Sequence, residues 1–256
     1  MRKSMKKTLK EIRKEFESAP ESRWEQLAFL YREDDRAGVK KLAESFLKKR
    51  RVLEKERRRV EAMCAYEKKY GDAEFICGID EAGRGPLAGP VVAGAVVLPK
   101  DARILYINDS KQLSEKKREE LYEIILSRAL AVGVGYASPA RIDEINILNA
   151  TYEAMRQAVG KLSLRPSLLL NDAVKIPELD IPQVPIIKGD AKSQSIAAAS
   201  IVAKVTRDRL MREYDRLMPE YGFASHKGYG SREHIEALKK YGPSPIHRAS
   251  FIAHFL

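Results

Sequence analysis

Asp80 and Glu81 stand side by side in the stretch GIDEAGRGPLAGP, and Gly83-Arg84-Gly85 follows at once. Carboxylates are hard oxygen donors, and an arginine between glycines can grip a phosphate bidentately where bare backbone approaches a ligand. Adjacent side chains of a regular strand point to opposite faces, so the pair could equally be a solvent-facing strand end. It converges on one site only if the strand ends or bulges there. Two further acids bear on the choice. Asp172 follows the apolar run SLLLN at a strand's C-terminal end, the edge where ligands collect in open α/β sheets. Asp190 follows PIIKG and precedes AKSQSIAAASIVAKVTRD, so it is either a ligand or the N-cap of that helix.

Four such acids, in a chain with only 4 His and 2 Cys, argue for oxygen coordination of Mg²⁺ or Mn²⁺ and against zinc. Two ions about 3.5–4 Å apart would clamp a phosphodiester, one activating water and the other stabilising the leaving 3′ oxygen. Gly-x-Gly also occurs in dinucleotide-binding loops, but that motif needs a third glycine opening a helix, and here the chain runs into a strand. Other polar groups fall in loops or on one helix. Lys111 lies in NDSKQLS, which reads as a phosphate contact or as a capping loop ending at Ser114. Lys192, Ser193, Ser195, Ser200 and Lys204 follow Asp190, and Ala197–Ala199 among them suggest close packing on a sheet. In SHKGYGSREH, Tyr229 could stack on a sugar or base or simply anchor the loop, and His226 could bind phosphate or be an ordinary loop histidine.

The elements that must position these groups follow from periodicity and turn residues. Strands are predicted over 74–80, 90–98, 131–137, 167–170 and 184–187, and helices over 114–130, 147–162, 193–218 and 231–241. Early strands close together, then strands alternating with helices, predict a mixed sheet with helices on its faces. Ahead of them the chain reads as helical throughout. Thr8–Ser18 has Leu9, Ile12 and Phe16 at helical spacing, Pro20 opens a second helix, and a long helix is expected over 36–70. Its stretch KKRRVLEKERRRVEA is either a solvated face or a basic arm lying along phosphates.

Charge divides the chain at the same place. Residues 1–70 hold 22 Lys/Arg against 13 Asp/Glu, leaving 25 against 23 for the rest of a chain whose net charge is +11. The asymmetry predicts a basic helical extension over 1–71 and a second domain over 72–256, with a polyanion as partner. Two cysteines, Cys64 and Cys77, are too few for a disulfide framework, and no apolar run is long enough to span a bilayer. A cytoplasmic protein that avoids membranes, and is monomeric, is expected.

GIDEAGRGPLAGPVVAGAVVL, NDSKQLS, GDAKSQSIAAASIVAKVTRDR, YGFASHKGYGSREH and GPSPIHRASF together resemble ribonuclease HII, the type 2 ribonuclease H family, from about Phe75 onward. The resemblance implies an α/β ribonuclease H-like fold, a mixed five-stranded sheet flanked by helices. It implies hydrolysis of RNA in RNA–DNA hybrids, and nicking of duplex DNA on the 5′ side of an embedded ribonucleotide, leaving a 3′-hydroxyl and a 5′-phosphate. Position by position it makes Asp80, Glu81, Asp172 and Asp190 the metal-binding catalytic acids. Gly83, Arg84 and Gly85 become readers of the ribose 2′-hydroxyl, and Tyr229 the residue that stacks under the following deoxyribose. Lys111 and Lys192 match phosphate contacts. The family often has glycine after its third acid, where this chain has Ala173. The helical extension lies outside the common catalytic core. A ribonuclease HIII-like specificity is the alternative within the class, although that type lacks the arginine between the glycines; a non-catalytic hybrid-binding protein is the alternative outside it.

Overall fold

The computed structural model describes residues 7–255, which fall into a unit ending at Arg59 and a larger one beginning at Val60. In the first, helix α1 (Leu9–Ser18) is opened by a capping box in which Thr8 and Glu11 satisfy each other's backbone N–H groups. Ile12 and Phe16 of α1 pack with Leu27 and Ala28 of α2 (Trp24–Leu30) and with Val39, Leu42 and Phe46 of α3 (Ala37–Met63). Phe16 stacks on Phe46 at 4.8 Å, and the Trp24 indole N–H donates to the Phe16 carbonyl. The basic extension therefore has an apolar core of its own. The helix expected over 36–70 is broken at Cys64 and resumes as α4 (Ala65–Lys69), a break that no Gly or Pro signals.

The second unit is built on a five-stranded sheet of order β3-β2-β1-β4-β5. Strands β1 (Ile76–Ala82), β2 (Val91–Val97) and β3 (Ala131–Ala137) pair antiparallel in sequence, while β4 (Leu168–Asp172) and β5 (Gln183–Ile186) add parallel on the other side of β1. Pro185 is tolerated in β5 because that strand is an edge. Strand parity sorts the two faces. Cys77, Ile79, Val91, Ala93 and Ala95 pack against α6 (Pro139–Gly160), whereas Val96 packs toward α5 (Glu115–Arg128) and α7 (Gln194–Leu217). Close approach of α7 requires Gly78, where a Cβ would sit 2.0 Å from the backbone of Ser195.

The helix expected over 147–162 is longer at its start. It opens at Ser138-Pro139, is interrupted at Asn146 (φ 65°), and restarts where the Asn146 side chain accepts from the N–H groups of Leu148 and Asn149. Periodicity marks only the second, better-packed half. Ser114 caps α5 by accepting from Lys117 N–H, one of the two roles open to the NDSKQLS loop. Among the described residues no helix is long and apolar enough to cross a membrane.

Candidate active site at the carboxyl edge of the sheet

Gly78 of β1 is in register with Leu170 of β4, so two residues further on Asp80 and Asp172 lie side by side at the ends of parallel neighbours. Both belong to the parity that faces α7, since Gly78 meets Ser195, and Leu168 and Leu170 pack with Ile196. The turn before α7 supplies Asp190. A carboxylate oxygen from each of Asp80, Asp172 and Asp190 lies within 4.8 Å of the others. No bulge is needed, because β1 stays in register with β2 through Ala82. Glu81 accordingly has the opposite parity and stands beside this trio, its Oε1 3.3 Å from Arg84 Nη1.

Asp190 does not cap α7. That role belongs to Ser193, whose side chain accepts from Ile196 N–H. Asp190 instead sits in a short 3₁₀ turn over Gly189–Ala191, entered through Lys188 in the left-handed region. The same turn holds Asp172, whose Oδ1 accepts from Gly189 N–H at 2.7 Å. Ala173, at the position where glycine would be unstrained, has φ 56°.

Crowding of acids in a buried corner disfavours their charge. Burial first, and the neighbouring Glu81 second, push the Asp80 carboxyl well above the usual range against a hydrogen bond from Ser200. Burial, then Asp109 and Asp172, raise Asp190 to about 6. Burial also raises Glu81, against the pull of Arg84. Lys111 is lowered by its own burial, but Asp80, Asp109, Asp190 and Asp172 more than offset this and the ammonium is held above its ordinary value.

The trio borders a cleft of about 510 Å³ lined by Glu81, Gly83, Arg84, Gly85, Lys111 and Tyr229, together with Ser110, Lys204 and Phe251. Arg84 and the half-exposed Tyr229 thus share the cleft with Glu81, and Lys111, which feels the charge of Asp80, Asp172 and Asp190, joins it to the trio. Lys192 is exposed and does not line it. His226 is turned inward: its Nδ1 accepts from Gly228 N–H and its Nε2 meets the Tyr221 carbonyl, so both ring nitrogens are occupied within the protein.

Sequence reasoning missed what shapes the glycine loop. Arg207 and Arg248 are fully buried, and among the described residues neither is paired with a carboxylate at hydrogen-bond distance. Arg207 donates to the carbonyls of Pro90, Ala88 and Lys227, while Arg248 donates to those of Gly83, Arg84 and Gly89. Gly83 (φ 93°) is obligatory here, because a Cβ would lie 2.1 Å from Arg207 Nε. Asp109 was likewise passed over in NDSKQLS, although it faces Asp190. Nothing in local sequence distinguishes these residues from surface ones.

A family model described as Ribonuclease HII matches residues 77–254, and one described as Ribonuclease HII N-terminal domain matches 8–71. Ribonuclease HII of Lachnoclostridium phytofermentans is 65% identical over 244 residues, covering 95% of this chain and 96% of its own. That of Clostridioides difficile is 52% identical over 252 residues, 98% and 99% of the two chains. The crystal structure of ribonuclease H2 from Pyrococcus horikoshii matches with a TM-score of 0.59 at 29% identity, covering 71% of this chain and 98% of that one. Fold and relatives together define the class as ribonuclease H, hydrolases that cut RNA internally within RNA–DNA hybrids. Within that class the chain belongs to the ribonuclease HII family.

Proposed function

We propose that this endonuclease also nicks duplex DNA on the 5′ side of a single embedded ribonucleotide, leaving a 3′-hydroxyl and a 5′-phosphate. The observation that carries the reading is the convergence of Asp80, Asp172 and Asp190 beside a cleft that contains Arg84 and Tyr229. Asp80 and Asp190, whose carboxyls resist ionisation when left to themselves, form with Asp172 a donor set suited to hard divalent cations. Asp80, Glu81, Asp172 and Asp190 would hold Mg²⁺ or Mn²⁺, two ions when substrate is bound. Such ions activate the attacking water and stabilise the leaving oxygen.

The chain's own residues do the rest. Gly189 N–H holds Oδ1 of Asp172 and so fixes that carboxylate beside those of Asp80 and Asp190. Arg84 and the backbone of Gly83–Gly85 read the ribose 2′-hydroxyl, the group that separates RNA from DNA. Tyr229 lies under the following sugar, and Lys111 meets a phosphate. Lys192 is assigned the same role further along the backbone, outside the cleft. The basic helical unit supplies sequence-independent affinity for the duplex.

The test is a DNA duplex carrying one ribonucleotide, incubated with Mg²⁺ and separately with Mn²⁺. A single nick on the 5′ side of the ribonucleotide is expected. Binding without a nick would assign a binding protein, and cleavage confined to long RNA tracts would assign the ribonuclease HIII-like specificity.

A further inference from the structure

Beneath the loop that presents Tyr229 lie three of the chain's histidines. His226, at the end of α8 (Phe223–His226), stacks on His234 of α9 (Arg232–Tyr241) with ring centroids 4.3 Å apart, and His247 tilts against His234 at 5.1 Å. His234 is fully buried and His247 nearly so, with Phe223 and Tyr221 closing the cluster on its apolar side.

The hydrogen bonds of this cluster have only one consistent direction. Ser244 N–H can only donate, and it points at His247 Nδ1 at 2.9 Å, so that nitrogen carries a lone pair, to which the Ser244 hydroxyl at 2.7 Å also donates. The proton of neutral His247 is then on Nε2, 3.0 Å from His234 Nε2, which must accept it. The His234 proton is therefore on Nδ1, 2.8 Å from the Tyr229 carbonyl, an obligate acceptor. Gly228 N–H fixes His226 in the same way, leaving its Nε2–H to donate to Tyr221. An added proton on His234 would face the N–H of His247, and one on His247 would face the N–H of Ser244, with the Ser244 Oγ as its one acceptor. Burial lowers both rings, His247 to about 4, in keeping with neutral imidazoles.

The chain of bonds ends on Tyr229 itself, whose backbone is held on both sides. Its N–H donates to the His226 carbonyl, and its own carbonyl accepts from Ser231 N–H as well as from His234. With the main chain pinned inward, the ring stands out over the cleft, its edge next to Gly85. We infer that His247 and His234 form a directional relay of neutral imidazoles that positions Tyr229, making these two buried histidines positioning residues for substrate discrimination. This rests on the reading of Tyr229 as the sugar contact.

Two measurements decide it. Nitrogen-15 spectra of the histidine rings in the unaltered protein should show His234 protonated on Nδ1 and His247 on Nε2; the opposite tautomer at either ring overturns the relay. In kinetics on a single-ribonucleotide duplex, His234→Ala and His247→Gln should each lower kcat/KM by about 10- to 100-fold, the scale of a displaced contact. The double variant His234→Ala/Tyr229→Ala should be no worse than Tyr229→Ala, because the histidine acts through the tyrosine. Losses that multiply, or histidine variants at full activity, would sink the inference. Should Tyr229→Ala itself cost nothing, the reading of Tyr229 fails, while the tautomers still report on the relay. Where a histidine variant does not fold, the spectra of the unaltered protein stand as the test.

Discussion

At the scale of single residues, the acidic corner sets charge against stability. Asp190 titrates near 6 in the folded chain against 3.8 for the free group, so the folded state holds the proton more tightly. Its contribution to stability is full below about pH 3.8 and is lost as pH rises through 6. In a chelating buffer Tm should therefore fall across that window, and Asp190→Asn should raise Tm at pH 7 while abolishing cleavage. The same substitution should remove most of the Tm increase that Mg²⁺ or Mn²⁺ gives the unaltered chain. A variant that stays active, or gains no Tm, would contradict the role given to Asp190. Ala173 offers a test of opposite sign. It occupies the left-handed region at φ 56°, which costs a β-carbon-bearing residue about 1 kcal/mol. Ala173→Gly should stabilise the chain by somewhat less than that, since glycine also gains entropy when unfolded, and should leave cleavage intact. Denaturant midpoints at constant m would measure it.

At the scale of elements, the glycine loop and the start of α7 are held by groups distant in sequence. Replacing Arg248 with Met would strip the carbonyls of Gly83, Arg84 and Gly89 of their donor and should cost about 2–4 kcal/mol, as several buried acceptors lose partners together. Activity should fall further than stability, because Arg84 is carried by that loop. At the start of α7, Glu67 of α4 accepts from Ser193 Oγ at 2.6 Å and Ser195 N–H at 2.9 Å through one oxygen, while its other oxygen is buried with no partner among the described residues. Glu67→Ala should therefore cost about 1–2 kcal/mol, whereas Glu67→Gln, which keeps the accepting oxygen, should cost much less. Equal losses in the two variants would show that charge, not the accepted bonds, matters there.

At the scale of the whole molecule, composition and packing place the division differently. Basic charge ends near Gly71, and the N-terminal family model ends at residue 71, but the compact units meet at Arg59 and Val60. Val60 and Met63 pack with α5 and α7, and Glu67 holds Ser193 and Ser195 at the start of α7, so a truncation at 71 would damage the catalytic unit along with removing the basic one. Removing residues 1–59 is the cleaner cut. It should weaken binding to duplex and reduce the slope of log affinity against log salt, with the nick position unchanged. An unchanged slope would remove the basic unit from nucleic-acid binding.

Sequence by itself determined much of this protein. Strand and helix order followed from apolar runs and turn residues, and the acids Asp80, Asp172 and Asp190 stood out because each closes or follows such a run. The glycine-arginine loop was legible for the same reason, a local pattern with local chemistry. Only the tertiary structure decided that Asp80 and Asp172 share a face without a bulge, since that depends on which strand pairs with β1 and in what register. It also decided that Ser193 rather than Asp190 caps α7, that Cys64 and Asn146 break helices, and that Arg207, Arg248, His234 and His247 turn inward. A buried arginine or histidine has the same letter and the same neighbours as a surface one. What buries it is a set of carbonyls and rings, some a few residues away and others brought up from as far as 165, and no local pattern encodes that assembly.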